Sequence, residues 1–240
     1  MEMGGLSNTM KKRYQRNLGT LGEEGQKKLL GAHVVIIGAG GLGGSVFENL
    51  VRAGIGTITI VDPEVFEPTN LNRQLLSSEN NIGRKKVEIA KEHASKINSD
   101  INVIAVDDRV TSENAESLLK NSDIVCDCID SIPDRFIIQN AAGRLEIPMV
   151  HAAVAGTTGQ LMTILPGDIG LKAIYGDEAF VPIKGEEEEL GTPSSTVSAI
   201  AALQAHETIG IVTGNQTPLR NELLRVNLES WNVTRFKLAP

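Results

Sequence analysis

The most regular hydrophobic pattern of the chain lies in its first third. Residues 34–37 form a short, apolar, β-branched run, which is typical of a strand buried on both faces. Gly38, Gly40 and Gly43 follow at once, and after a helical stretch a second apolar run ends at Asp62. The pattern predicts a strand, a glycine-rich turn, a helix and a second strand.

This arrangement indicates a nucleotide site. A tight glycine turn lets the backbone approach a phosphate, and the following helix offers its free N–H groups to the negative charge. An acid at the end of the second strand, such as Asp62, can accept hydrogen bonds from a ribose diol. The stretch alone does not decide which nucleotide binds.

Apolar runs continue along the chain. They predict strands at 101–106, 123–129 and 149–154, alternating with helices that begin near 83, 112 and 135. Asp130 stands just beyond the strand predicted at 123–129. Because ligands bind at the carboxyl ends of parallel strands, Asp62 and Asp130 are candidates for one crevice.

The pattern changes after residue 155. A strand predicted at 159–165 follows without a helix-length connection, which favours antiparallel pairing. A helix at 194–214 is apolar on nearly all sides, and a terminal hairpin is predicted over 223–238. The expected fold is α/β, a Rossmann-like three-layer sandwich with a mostly parallel sheet that becomes mixed through antiparallel C-terminal strands.

Three polar segments interrupt these elements. Glycines at 19, 22 and 25 predict a broken helix near 11–30, and its arginines, including Arg16, by themselves fit a solvated surface. The long connection after Asp62 carries Asn70, Arg73 and Lys86, which could hold polyphosphate. Residues 166–191 show no clear periodicity, and the acidic run 186–189 predicts a mobile, solvated loop.

Composition narrows the class of protein. The 240 residues are 41% hydrophobic and 22% charged, as in ordinary globular proteins. A net charge of −7 disfavours wholesale binding of nucleic acid or acidic membranes. A polar start and the lack of a long apolar run predict a cytoplasmic protein without a membrane span. We expect one domain over 1–240, with an N-terminal helical segment (about 10–30), a nucleotide-binding part (about 31–155) and a C-terminal mixed-sheet part (about 156–240).

Several motifs in fixed order resemble the ThiF/MoeB/HesA family, bacterial relatives of ubiquitin-activating enzymes. They are RYQRN (13–17), GAGGLGG (38–44), Asp62, NLNRQ (70–74), IGRKKVEIA (82–90) and DCID (127–130), and the late helix also resembles that of the family. The resemblance covers roughly residues 10 to 238. It is specific, because an ordinary nicotinamide dehydrogenase has no reason to carry NLNRQ and a lysine pair after its second strand.

The resemblance implies an ATP-dependent adenylyltransferase. Such an enzyme joins the C-terminal carboxylate of a small β-grasp sulfur-carrier protein, ending in Gly-Gly, to the α-phosphate of ATP and releases pyrophosphate. It further implies that Gly38, Gly40, Gly41 and Gly43 line the nucleotide and that Asp62 holds the ribose. Asn70, Arg73 and Lys86 would neutralise phosphates, with Lys86 nearest the reacting centre.

Two further implications concern a metal and a partner subunit. Asp130 would bind Mg²⁺ that bridges phosphate oxygens, although a lone acid there could also be a helix cap. Arg16 would reach the ATP of a neighbouring subunit, so that the protein would be a homodimer with shared sites.

The chain departs from the family pattern in its cysteines. Many members carry two CxxC pairs for zinc, whereas this chain has only Cys126 and Cys128, which predicts no structural zinc. Both fit small buried apolar residues. The stretch before the late helix, LGTPSST, holds no cysteine for a thioester and fits a helix N-cap with Pro193 at an early position. A separate sulfur donor is therefore expected.

Three other functions remain open. A branch of the family adenylates a carboxylate of a modified tRNA base, and the acidity of the chain argues against that substrate. An NAD-dependent oxidoreductase would explain the glycine turn and Asp62 but would leave Asn70, Arg73, Lys86 and Asp130 without a role. A non-catalytic binding protein would have no need of these polyphosphate-binding groups.

Overall fold

A computed structural model describes residues 12–215 and 218–238. Eight strands of the described chain form one sheet. They are β1 (His33–Ile37), β2 (Thr57–Val61), β3 (Asn102–Val106), β4 (Ile124–Asp127), β5 (Met149–Ala155), β6 (Thr158–Ile164), β7 (Glu222–Asn227) and β8 (Asn232–Lys237). Their spatial order is β3-β2-β1-β4-β5-β6-β7-β8.

Helices cover both faces of this sheet. They are α1 (Gln15–Gly31), α2 (Gly41–Ala53), α3 (Lys86–Ile97), α4 (Ala115–Leu119), α5 (Ile132–Arg144), α6 (Lys172–Tyr175), α7 (Glu187–Leu190) and α8 (Ser194–Thr213). Short 3₁₀ turns occur at Pro68–Asn70, Glu79–Asn81 and Glu178–Phe180. None of the helices in the described ranges has the length and hydropathy needed to span a membrane.

The first five strands pair in parallel and the last three antiparallel. β1 lies between β2 and β4, so the chain reverses its direction of travel across the sheet at β1. β6 pairs antiparallel with β5, and β7 and β8 extend the sheet in the same way. The predicted α/β fold, mostly parallel and mixed at its C-terminal end, is confirmed.

Two hydrophobic clusters lie on opposite faces of the sheet because side chains of a strand alternate. Val34 and Ile36 pack with α2, α3 and α8 on one face. Val35 and Ile37 pack with α4 and α5 on the other. This is the expected three-layer sandwich, and it explains why the parallel strands are apolar at every position.

The helix predicted to be broken does break. Gly22 in α1 has φ 68° and ψ 173°, which no helix accommodates, so two short helices meet there. Tyr14, just before α1, is buried, and its hydroxyl accepts a hydrogen bond of 2.8 Å from Asn98 Nδ2. This contact fixes the start of α1 to the loop after α3.

Several predicted boundaries need correction. The strand predicted at 123–129 ends at Asp127, because the chain then turns toward the glycine turn of β1. The helix expected from Gly83 begins at Lys86. Residues 166–191 are irregular for most of their length, as predicted, but they include the short helices Lys172–Tyr175, Glu178–Phe180 and Glu187–Leu190. The N-cap of α8 is Pro193, with no side-chain cap.

Candidate functional site

A cleft of about 1240 Å³ opens at the carboxyl ends of β1, β2 and β4. It lies where the strand order reverses, which is the usual ligand position in open α/β sheets. Eight of the residues predicted for the site line it, namely Gly38, Gly40, Gly41, Asp62, Asn70, Arg73, Lys86 and Asp130. A second arm of the cleft runs along β5, β6 and β7.

The glycine turn is built by close backbone contacts. Gly38 has φ 97°, and a Cβ there would lie 2.7 Å from the carbonyl oxygen of Cys128. A Cβ on Gly43 would lie 1.8 Å from the carbonyl oxygen of Gly38. Gly43 therefore lets α2 pack closely against the turn. It is not among the cleft-lining residues, so its contact with the nucleotide stays a prediction.

Asp62 connects the turn to the following loop. Its Oδ2 accepts a hydrogen bond of 2.7 Å from the Ala39 amide, and its Oδ1 accepts one of 2.8 Å from the Glu64 amide. Burial raises the pKa of the Asp62 carboxyl, although these amides and the charge of Lys86 act in the opposite direction. The carboxylate is thus fixed in orientation at the cleft wall.

The loop after Asp62 brings its polar groups to the same wall. The buried Asn70 receives the Glu67 amide on Oδ1 at 3.0 Å and closes a 3₁₀ turn. Arg73 is half-buried, and its guanidinium donates to the Thr69 carbonyl. Lys86 is buried at the start of α3, where its Nζ lies 2.6 Å from a carboxylate oxygen of Glu64.

The neighbouring lysine differs from Lys86. Lys85 Nζ lies 2.9 Å from Asp107 Oδ1 and donates to the Pro63 carbonyl at 3.0 Å, away from the cleft lining. Of the lysine pair, therefore, Lys86 alone is turned to the cleft.

Asp130 follows β4 and is paired with Lys184. Partial burial acts to raise the pKa of Asp130, but the hydrogen bond and charge of Lys184 outweigh it and hold the pKa below its usual range. Asp130 does not cap α5: the N-cap is Ser131, whose hydroxyl accepts from the Asp134 amide at 3.3 Å. The Asp130 carboxylate therefore has Lys184 as its partner rather than the amides of the α5 N-terminus.

Beneath Asp130 lies a buried charged network. Arg135 Nη1 donates to Asp127 Oδ2 at 3.1 Å and to the Ala152 carbonyl at 2.9 Å, and the other terminal nitrogen of Arg135 donates to the Ile129 carbonyl. His151 Nδ1 lies 2.7 Å from the same oxygen of Asp127. The network ties the ends of β4 and β5 to α5 and so fixes the backbone that leads to Asp130.

The two ionisable partners of this network have shifted pKa values. Burial acts to raise the pKa of Asp127, but Arg135 and His151 outweigh it and lower that pKa. Burial also lowers the pKa of His151, against the hydrogen bond that its Nδ1 donates to Asp127. We therefore treat Asp127 as ionised and His151 as neutral at pH 7.

Both cysteines are buried, as predicted. Cys126 contacts Thr208, and Cys128 contacts Gln204. Burial raises the pKa of the Cys126 thiol to about 12 and that of Cys128 well above its ordinary value. Neither thiol is suited to covalent chemistry. No group of three or more His, Cys, Asp or Glu side chains within 12–215 and 218–238 is arranged to hold a metal ion.

Arg16 lies on the exposed surface of α1 and does not line the cleft of its own chain. Sequence reasoning missed the cleft residues Gln74, Arg135 and Lys184. Gln74 is the last residue of the NLNRQ motif, and its place in that motif could have marked it as a cleft residue. Arg135 and Lys184 gave no signal, because their partners are distant in sequence.

Fold and cleft together define the class of Rossmann-type nucleotide-binding proteins, with cations and a carboxylate facing one crevice. A family model described as the ThiF family matches residues 14–240. The chain belongs to the ThiF family, and it is an ATP-using adenylyltransferase.

Known proteins of this kind are similar over most of the chain. Protein HesA of Leptolyngbya boryana is 35% identical over 93% of this chain and 80% of its own length. The sulfur carrier protein ThiS adenylyltransferase of Bacillus subtilis is 34% identical over 85% of this chain and 62% of its own length. A crystal structure of E. coli MccB with ATP superposes with a TM-score of 0.79 at 26% identity, covering 95% of this chain and 72% of MccB.

Proposed function

We propose that the protein adenylates the C-terminal carboxylate of a small β-grasp sulfur-carrier protein that ends in Gly-Gly. The observation that carries the proposal is the convergence of the glycine turn, the loop cations and Asp130 on one cleft. The names of two relatives support the substrate class: one is a ThiS adenylyltransferase and another, 32% identical, is the SAMP-activating enzyme E1 of Haloferax volcanii.

The reaction forms one bond and breaks one. A carboxylate oxygen of the carrier attacks the α-phosphorus of ATP, and the bond from that phosphorus to the bridging oxygen breaks, which releases pyrophosphate. Negative charge grows on the pyrophosphate as it leaves. Cations placed around that group stabilise the transition state more than the ground state, and no covalent protein nucleophile is required.

The residues of the cleft divide this work. The amides of Gly40 and Gly41 approach the nucleotide phosphates, as at other helix N-termini, while Gly38, whose own amide donates to the Val61 carbonyl at 2.8 Å, lets the backbone make the turn. Asp62 accepts hydrogen bonds from the ribose. Arg73 and Lys86 neutralise the phosphates, and the Asn70 amide donates a hydrogen bond to them. Because Lys86 is buried, its charge is little screened by water.

Asp130 fits Mg²⁺. That ion is commonly bound through one or two carboxylates together with substrate phosphates. Asp130 supplies one carboxylate to the cleft lining, next to the Ile129 carbonyl that Arg135 holds in place. When bound, Mg²⁺ supplies further positive charge to the phosphates. Ionisation of Asp130 at neutral pH, favoured by its lowered pKa, keeps this carboxylate ready for a cation.

The second arm of the cleft suits the tail of the carrier. Its wall includes backbone and small side chains of β5 and β6, among them Ala153, Ala155 and Gly159, together with Phe236 of β8. A Gly-Gly tail is narrow and extended, so it can lie along such a wall and reach the α-phosphate.

The assembly is proposed to be a homodimer in which Arg16 of each subunit reaches the nucleotide of the other. An exposed arginine outside the cleft of its own chain is compatible with that role. Since both cysteines are buried, sulfur comes from a separate donor that acts on the adenylate, and no structural zinc is needed.

ATP–pyrophosphate exchange tests the reaction. With ATP, Mg²⁺ and the carrier ThiS as probe, we expect exchange that is lost when the terminal Gly-Gly is deleted. Exchange that is equal with the truncated carrier, or absent with a panel of Gly-Gly-ended β-grasp proteins, would refute the proposed substrate. Bulk tRNA in a parallel reaction tests the tRNA-modifying alternative, which the net charge of −7 disfavours. NADH titration tests the oxidoreductase alternative.

A further inference from the structure

A segment between two glycines covers the Asp130 end of the cleft. Gly176 has φ 81° and Gly191 has φ 69°, and a Cβ on either would meet open space. We call residues 177–190 the crossover segment. It carries Lys184, and it includes the acidic residues 186–189, of which Glu186, Glu187 and Glu188 line the cleft.

The crossover segment contacts the site at two adjacent points. Lys184 is paired with Asp130, and the carbonyl oxygen of Ile183 accepts a hydrogen bond of 3.0 Å from the Ile132 amide at the first turn of α5. The Lys184 ammonium group thus neutralises the Asp130 carboxylate, and the Ile183 carbonyl accepts the hydrogen bond of a backbone amide at the N-terminus of α5. A cation and an anionic ligand would use these same two groups.

The rest of the crossover segment is weakly attached. Phe180 is 87% exposed, Ile183 is 70% exposed and Leu190 is 58% exposed, so its large apolar side chains bury little surface. Its other anchors are the packing of half-buried Val181 against the apolar cluster on the α5 face, contacts of α7 with β5, and single hydrogen bonds such as that from Asn140 Nδ2 to Glu178 at 3.2 Å. Segments with few buried contacts and glycine ends open at low cost.

We propose that Lys184 competes with the divalent cation for Asp130 and so sets the affinity of the site for Mg²⁺. The proposal rests on the proposed function, since it takes Asp130 as the ligand of Mg²⁺. Asp130 Oδ2 pairs with the Lys184 ammonium group, and a divalent cation bound to the same carboxylate would repel that ammonium group. Binding of the magnesium nucleotide therefore releases Lys184 and opens the crossover segment.

The affinity of the non-hydrolysable analogue AMPCPP, measured by calorimetry over a range of Mg²⁺ concentrations, tests the competition. Lys184→Met keeps the length of the side chain but removes its charge, and we expect it to lower the half-saturating Mg²⁺ concentration about two- to fivefold, the range of a partly exposed ion pair. Lys184→Arg retains the charge and should stay near wild type. Lys172→Met, at an exposed lysine outside the cleft lining, is the matched control.

Proteolysis provides a second readout that does not depend on activity. A glutamate-specific protease should cut the run 186–189 faster in wild type after Mg²⁺ and AMPCPP are added, and already without ligand in Lys184→Met. An unchanged or raised half-saturating Mg²⁺ concentration in Lys184→Met, or slower cleavage on ligand addition, would overturn the proposal. If wild-type protein bound no magnesium nucleotide at all, the proposed function would fail together with it; Mg²⁺-dependent binding that Lys184→Met leaves unchanged would overturn the competition alone.

Discussion

At the scale of the residue, two adjacent lysines have different environments, one in the cleft and one outside it. Lys86 is buried and turned to the cleft, whereas Lys85 pairs with Asp107 outside it. If Lys86 lies beside the leaving pyrophosphate as proposed, loss of this buried cation should raise the barrier by ~2–4 kcal/mol. We therefore expect Lys86→Met to slow pyrophosphate exchange roughly 30- to 10³-fold. Arg73→Ala should slow it in the same direction.

Lys85→Met is the control for this prediction, since it removes the same charge one residue away. It should leave the exchange rate near that of wild type. Equal rates for Lys86→Met and wild type would contradict the assignment of the phosphate cations, and an equal loss in both variants would point to net charge instead.

The buried His151 gives the fold a dependence on pH. Burial holds the pKa of His151 below 6.5, so the folded state binds fewer protons than the unfolded chain once the pH falls below about 6.5. The free energy of unfolding should decrease as the pH is lowered from 6.5 toward the folded pKa, by at most ~1.4 kcal/mol per pH unit. Urea denaturation between pH 8 and pH 5.5 measures this slope.

His151→Gln removes the titrating group and should flatten the slope, although it also lowers stability at every pH through the lost contact with Asp127. His93→Gln, at a half-buried histidine that pairs with Glu48, is the matched comparison for the loss of an imidazole elsewhere in the fold. A wild-type curve that rises on acidification across this range would contradict a neutral buried imidazole.

Residues of the cleft could be predicted where they belong to a motif that is local in sequence. They could not be predicted where they meet only through contacts between distant parts of the chain. The glycine turn, Asp62 and NLNRQ were visible because their types and spacing follow from backbone geometry. Lys184 lies 54 residues from Asp130, and His151 lies 24 residues from Asp127, so only the folded chain brings these pairs together. No periodicity or motif encodes such contacts.

At the scale of the element, the first turn of α2 packs so closely against the glycine turn that residue 43 can have no side chain larger than the hydrogen of glycine. A Cβ on Gly43 would lie 1.8 Å from a backbone oxygen that cannot move aside freely. Gly43→Ala should therefore destabilise the fold by ~1–3 kcal/mol through overpacking. It should also weaken ATP binding, because the turn shifts with the helix. Urea denaturation and calorimetry with AMPCPP measure the two effects.

Gly19→Ala, in α1, is the matched control. A Cβ there meets nothing within 4 Å, so the better helix propensity of alanine should stabilise by up to ~1 kcal/mol. Should Gly43→Ala be as stable as wild type, the close packing of α2 against the turn would not be a constraint on the fold.

Helices and strands could be predicted more readily from the sequence when they are long or buried. The parallel strands are apolar at consecutive positions because helices cover both faces, so the sequence marks them clearly. The helices α6 and α7 have four residues each, which is too short for any period to appear. Their position depends on contacts with β5 and α5, so the sequence suggested only an irregular loop.

At the scale of the whole molecule, the surface of α1 is separate from the cleft. Tyr14 anchors the start of α1, and Arg13 pairs with Asp100 at 3.3 Å, while Arg16 remains exposed. If Arg16 serves the nucleotide of a neighbouring subunit, each active site needs residues from two chains. This arrangement makes a prediction about mixed dimers that no monomeric enzyme would satisfy.

Arg16→Ala and Lys86→Met should each be inactive in pyrophosphate exchange. After mixing and subunit exchange, a mixed dimer holds one site with intact Lys86 from one chain and intact Arg16 from the other. With half of the dimers mixed and one site in each restored, activity should return to about a quarter of the wild-type value. Measurement requires equal amounts of both variants and a check of dimer mass by light scattering.

Mixing Arg73→Ala with Lys86→Met is the control, because both residues line the cleft of the same chain. In such a mixed dimer each site carries one of the two changes, so no site is restored and activity should stay low. Recovery of activity in this control would show that activity can return by a route other than the exchange of whole subunits. Lack of recovery in the Arg16 mixture, with subunit exchange verified, would place Arg16 outside the shared site and return it to the role of a solvated surface arginine.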